Sequence, residues 1–264
     1  MARFEDIRIE SQKGIGELVI DRGDGRNALR PQSLAEICKG MDLLTADETV
    51  RVILIRAEGK HFSAGADFTF LDELTILSPA KIKRQVYDHF QGAARRIYQC
   101  PKPTIALVQG AAVTVGCELA LACDFRLAAD DAFFQESWIK LGIMPPLGGL
   151  FLLPKIVGLG RAKEMCLRAE TVKADMALNI GLVSEIVSKN KLIVSGQKLA
   201  EELAEAAPLA YATVKEALHR GLESSMEAEW TANLPSQAVL ISSEDFKEGL
   251  EAVKSRRKAV FKGI

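Results

Sequence analysis

"TIALVQGAAVTVGCELALACDFRLAA", residues 104–129, decides the fold. The run at 104–110 is apolar on both faces, which reads as a strand covered on both sides. Residues 114–122 read as a helix that begins just after the "QGAA" turn, and 124–129 as the next strand. A strand, a helix and a strand in close succession imply a crossover and a parallel sheet. Inside this apolar stretch stands one carboxylate, Glu118. A carboxylate in such surroundings costs free energy unless it is paired, hydrogen-bonded or protonated, so Glu118 is a candidate for chemistry rather than packing.

The pattern repeats outward. "ELVID" at 17–21, "RVILIRA" at 51–57 and "GLVSEIV" at 181–187 read as further strands, with helices over 31–46 and 79–99 between them. The chain is therefore an α/β protein. Beyond about residue 190 the sequence offers helical periodicity and no strand, with Pro208 and Pro235 as breaks. This divides it into a core at 1–190 and an all-helical region at 191–264. Phe246, Leu250, Val253 and Val260 form an apolar stripe near the end, beside a basic cluster of Arg256, Arg257, Lys258 and Lys262. That cluster is either a solvated face or a phosphate site.

Charge excludes some partners. Lys and Arg number 34 against 35 Asp and Glu, for a net charge of -1 in 264 residues, so no global basic field draws nucleic acid or anionic lipid. An anionic ligand must be met locally. No apolar leader and no membrane-length apolar run occur, so no membrane partner is expected and the cytoplasm is the default compartment. Five cysteines without CxxC spacing read as buried thiols. His61, His89 and His219 lack ligand spacing, so no metal is expected.

Two glycine-bearing strand exits, "HFSAGAD" at 61–67 and "QGAAVTVGCELA" at 109–120, should expose backbone N–H groups near one edge of the sheet. Two such donors aimed at one point make an oxyanion hole, which stabilises charge developing on a carbonyl oxygen.

Together with "RNAL" (26–29), "PKPTIALVQG" (101–110), "GCELALACDFRLAADDAFF" (116–134), "LGIMPPLGG" (141–149), "LPKIVGLGRAKEM" (153–165), "ADMALNIGLVSEIV" (174–187) and "FKEGLEAVKSRRKAVFKG" (246–263), these blocks make the chain resemble the crotonase superfamily of enoyl-CoA hydratases and isomerases almost end to end. The resemblance implies a crotonase-like spiral of ββα turns in two stacked sheets, followed by a helical trimerisation region, with a homotrimer or homohexamer as the assembly. It implies an acyl-CoA thioester as substrate and no cofactor beyond that coenzyme A. By position it puts the oxyanion donors on the N–H groups of Ala64 and Val115 and the catalytic acid/base on Glu118. It places coenzyme A near Arg26, Ala28, Ala64 and Asp67, with Phe261 and Lys262 reaching a neighbouring subunit's ligand; Asp67 also suits a turn or cap. Phe68, His89, Tyr87 and Trp138 fall where the family lines its acyl pocket.

The sequence also departs from the family. The second glutamate of a hydratase is replaced by Trp138, and an alternative aspartate position falls on Pro146. Glu136, two residues away, is a candidate second acid. Val115 stands where the family has glycine, which brings bulk toward the acyl pocket. The indole is expected to fill that pocket or stack on a flat acyl group. Three readings follow: a hydratase/isomerase-like enzyme with Glu118 as its one firm acid/base; another crotonase reaction, decarboxylation or double-bond migration; or thioester binding without turnover.

Overall fold

The computed structural model describes residues 4–264, the side chains of 85–87 excepted, so Tyr87 lies outside the described side chains. The main sheet has six strands in the order β1 (Ile7–Gln12), β2 (Ile15–Ile20), β4 (Val52–Ala57), β6 (Thr104–Val108), β8 (Phe125–Ala129), β11 (Glu185–Val187). From β2 onward every pairing is parallel, as the crossover argument requires. Between main-sheet strands the chain lays down short second strands: β3 (Ala28–Leu29), β5 (Gly65–Ala66), β7 (Ala111–Val113), β9 (Phe133–Gln135) and β10 (Val172–Lys173). β3 pairs with β5, β10–β9–β7 form a further ribbon, and a bridge from Ser63 to Ala112 links the two sets. The repeat is therefore β, β, α. Successive units close with α1 (Pro31–Ala46), α2 (Phe68–Leu74), α5 (Val115–Ala122) and α6 (Gly149–Arg168).

β1 lies outside the expected set of strands. It is an edge strand whose exposed positions carry Arg8 and Glu10, so it lacks the two-faced apolar run that reveals the central strands. Lys13 (φ 51°) and Gly14 (φ 82°) turn it into β2 as a two-residue hairpin. The expected helix at 79–99 is interrupted: α3 (Pro79–Gln85) and α4 (Gly92–Tyr98) flank a π-helical turn at Val86–Gln91. The expected strand at 181–187 shortens to β11, because the chain from α7 (Ala174–Asn179) must first turn at Gly181 (φ 73°).

Both faces of the main sheet are buried. Ile53 and Ile55 join the large core beneath α1, α4 and α5, while Val52 and Leu54 point the other way with Ile105, Leu107 and Leu127. The second face is covered by α8 (Leu192–Ala204), whose Leu192 and Ala200 belong to that smaller core. Gly196 makes the contact possible, since a Cβ there would sit 2.5 Å from Leu107. The first helix after residue 190 thus completes the sheet, and α9 (Pro208–Gly221), α10 (Met226–Ser242) and α11 (Glu244–Ser255) follow. No helix among the described residues is long and apolar enough to cross a membrane.

Candidate active site

The two glycine-bearing exits interlock. A Cβ at Gly116 would lie 2.6 Å from the Ser63 Cβ, and one at Gly65 would lie 2.4 Å from the Thr114 hydroxyl. Only glycine at both positions lets the first turn of α5 press against the "SAG" turn. Thr114 takes φ 47° and ψ −111°, a conformation that costs a non-glycine residue free energy and is held by its surroundings. Its N–H donates to the Gln135 carbonyl at 2.8 Å, and its carbonyl accepts from the Glu118 N–H at 3.0 Å. Val115 is then the first residue of α5, so its N–H has no acceptor within the helix.

Glu118 is 1% exposed. Its Oε1 accepts from the Trp138 indole N–H at 3.0 Å. Its Oε2 accepts from the backbone N–H groups of Leu147 (2.9 Å) and Gly149 (2.7 Å), the latter at the start of α6. Gly149 must be glycine for this approach, because a Cβ there would fall 2.9 Å from Oε2. Burial pushes the carboxyl up to about 7, against the opposite pull of these donors. Glu118 is therefore fixed in direction by neutral donors and poised to hold or release a proton near neutrality.

Trp138, 2% exposed, is spent on this contact. The indole, expected to fill the acyl pocket or stack on an acyl group, is a buried donor to the Glu118 carboxylate. Glu136, the candidate second acid, is 0% exposed and has Cys117, Cys166 and Glu118 as its ionisable neighbours. Strand alternation explains this, since Glu136 follows β9 with the Gln135 side chain pointing out to Ala169 and Thr171.

The remaining expected residues are placed as follows. Ala64 abuts α5, but its N–H already donates to the Arg26 carbonyl at 2.8 Å, which contradicts a free donor in this state. Arg26 itself is exposed, and Ala28 pairs with Gly65. Asp67 is used structurally: it caps α2 through Thr69 and Phe70 and forms an ion pair with Arg22 at 2.8 Å. Arg22 also donates to the Ala28 carbonyl, so one guanidinium ties β3 to the α2 cap. Phe68 is 70% exposed on α2, and His89 is half-buried in the π-helical turn. Phe261 and Lys262 lie elsewhere. The Phe261 carbonyl accepts from Arg51, and the Lys262 N–H donates to Asp245 at 2.7 Å. Arg51 immediately precedes β4, whereas Ala64 lies beyond its far end.

Sequence reasoning missed the backbone donors of Leu147 and Gly149, although the "PLGG" that opens α6 signals free N–H groups at a helix start. It also missed Arg22, for which an isolated arginine beside a glycine loop gives no signal.

The spiral of ββα turns and the buried acid at the head of α5 define a class, and the comparisons agree with it. The family model described as enoyl-CoA hydratase/isomerase matches residues 10–264. The chain belongs to the enoyl-CoA hydratase/isomerase family. It is 34% identical over 259 residues to a crotonyl-CoA hydratase of Syntrophomonas wolfei, covering 98% of each chain. It is 32% identical over 268 residues to a peroxisomal Delta(3,5)-Delta(2,4)-dienoyl-CoA isomerase of Arabidopsis thaliana, covering 98% of this chain and 96% of the relative. Among solved structures, an enoyl-CoA hydratase of Bacillus anthracis superposes with a TM-score of 0.90 at 28% identity, covering 98% of this chain and 100% of that one.

Proposed function

We propose that this enzyme moves a proton at the α-carbon of an enoyl-CoA thioester and so shifts its double bond, and that it adds water to straight-chain enoyl-CoA slowly. The observation that carries this is the Trp138 N–H on Glu118 at 3.0 Å. Syn hydration asks for one group to activate water and another to supply the α-proton. An indole N–H donates but does not titrate, so it can do neither. Double-bond migration needs one group. Glu118 takes a proton from C2 of a 3-enoyl thioester, the electron pair delocalises into a dienolate, and Glu118, whose proton can exchange with solvent, delivers a proton to C4 and leaves a C2–C3 double bond, or returns one to C2 and so exchanges the α-position.

The thioester oxygen takes up the dienolate charge. The N–H groups of Ala64 and Val115 are its donors, Val115 with the added field of the α5 N-terminus. Since the Ala64 N–H rests on Arg26, the substrate either displaces that carbonyl or shares the donor with it. Arg26 and Ala28 line the coenzyme A entry, Phe68 and His89 the acyl side, and Phe261 and Lys262 serve a neighbour's ligand. Coenzyme A comes with the substrate and no other cofactor takes part. The assembly is a trimer or hexamer: Leu159, Leu167, Leu218, Trp230, Leu234 and Val239 expose apolar surface on α6, α9 and α10. The cytoplasm is the working compartment.

The test follows 3-enoyl-CoA conversion, crotonyl-CoA hydration and α-deuterium incorporation side by side. The reading requires migration and exchange to outpace hydration. Crotonyl-CoA hydration faster than migration would overturn it.

A further inference from the structure

Glu136 is a second acid buried next to the site, and its surroundings differ from those of Glu118 in kind. Both of its oxygens are buried and neither has a hydrogen-bond partner. Its polar neighbour is the Cys117 thiol, only a weak donor. Among the described residues, the ionisable groups that interact with it are Cys117 and Glu118 on α5 and Cys166 on α6: two thiols and a carboxyl, none of them a cation. An ionised carboxylate with no donor is among the costliest groups to bury, whereas the protonated acid is far cheaper.

We propose that Glu136 is a neutral carboxylic acid throughout the pH range in which Glu118 works, so that the two acids together carry one negative charge at most and Glu118 carries it. The asymmetry of donors assigns the charge. Glu118 has three N–H groups directed at its carboxylate, and Glu136 has none. Desolvation, and then the Glu118 charge, push Glu136 well above the usual carboxylate range; burial does the same to the Cys117 thiol, so that neighbour stays neutral too. Glu136 thereby stays electrostatically silent toward Glu118, whose proton affinity would climb further beside a second negative charge. It cannot serve as the missing water-activating base while it remains protonated.

Two measurements decide this, and they fail separately. The first is infrared spectroscopy of the whole protein across neutral pH. The expected result is the carbonyl stretch of a protonated carboxylic acid that persists after Glu118 has ionised and disappears in Glu136→Gln. Absence of that band, or its survival in Glu136→Gln, overturns the proposal without reference to turnover. The second is the pH profile of α-proton exchange, which rests on Glu118 being the acid/base. Its ascending limb keeps the same apparent pKa in Glu136→Gln, because a neutral amide replaces a neutral acid. A fall of about one pH unit or more would mean that Glu136 was ionised in the native enzyme and had been raising its neighbour. Should Glu136→Gln fail to fold, the wild-type spectrum alone decides: persistence of a neutral acid band above the Glu118 transition supports the proposal, and its absence refutes it.

Discussion

Helix α5 carries an acid at each end, and the two are buried by opposite means. At the N-terminal end Glu118 is met by three neutral donors, an indole and two backbone N–H groups, with no cation among them. Just past the C-terminal end Asp124 accepts from the Thr104 N–H (2.9 Å), the Thr104 hydroxyl (3.1 Å), the Tyr211 phenol (3.3 Å) and the Lys215 ammonium (2.8 Å). The partner decides the role. Neutral donors orient a carboxylate without fixing its charge, so Glu118 can exchange a proton near pH 7. An ion pair joins two elements, so Asp124 becomes a dock that fastens α9 to the strand ends.

The sharpest way to break the comparison is to remove the proton-exchanging group alone. Glu118→Gln keeps the shape and one acceptor oxygen, yet an amide cannot shuttle a proton. Turnover and α-exchange should fall by roughly 10²- to 10⁴-fold, as for the loss of a positioned acid/base. The variant's amide nitrogen must face either the indole N–H or the two backbone N–H groups, so stability should also fall, by about 1–3 kcal/mol for the donors left unpaired. Retained exchange in this variant would mean that another group does the chemistry.

The other end should respond in stability alone. Lys215→Ala strands the Asp124 charge among groups only partly exposed to water, and breaking such a pair costs about 3–5 kcal/mol. Chemical denaturation should show that loss, while folded enzyme keeps its proton-exchange rate. An unchanged unfolding midpoint would show that α9 is held by its apolar contacts alone.

A smaller effect tests how closely the neutral cradle is built. Gly149→Ala puts a Cβ about 3 Å from the Glu118 Oε2 and forces the carboxylate to move. A displacement of this kind, on the order of 1 Å, can cost about 10²-fold in rate through misorientation. The kcat should carry the loss and the affinity for coenzyme A should not, since no coenzyme contact is assigned to α6.

What the sequence made legible follows from element length and from the kind of group involved. β4 and β6 are apolar on both faces over five or six residues, enough for a pattern to show. β3, β5 and β10 are two residues each, below any periodicity, and each exists through its pairing with a strand distant in sequence. Glu118 was legible because a carboxylate amid alanine, leucine and cysteine is chemically out of place. Its donors were not. Two are backbone N–H groups that any residue could supply, and the third belongs to Trp138, whose size reads as filler while its one polar atom does the work. Glu136 showed in the sequence as an acid near the right place, but strand parity turns it toward Cys117, and parity after a three-residue strand is set by pairing with β7.

The finest adjustment of the cradle is Trp138→Phe, which keeps most of the buried ring and deletes one donor. The indole N–H stabilises the ionised form of Glu118, so its loss leaves burial less opposed and the carboxyl pKa rises from about 7. A base that must be ionised to act then needs a higher pH, and the ascending limb of the exchange profile should move upward by up to about one pH unit. Stability should change in a coupled way. A carboxyl whose folded pKa lies above its ordinary 4.5 contributes fully below that value, and its contribution is lost as pH rises toward the folded pKa. Trp138→Phe extends that window to higher pH, so the variant should lose stability relative to wild type chiefly above pH 7, by at most about 1.4 kcal/mol if the carboxyl pKa climbs by one. Glu118→Gln removes the window, and a double variant should then show none of the pH-dependent difference. If the double variant keeps it, the indole acts on some group other than Glu118, and the contrast between the two ends of α5 loses its electrostatic basis.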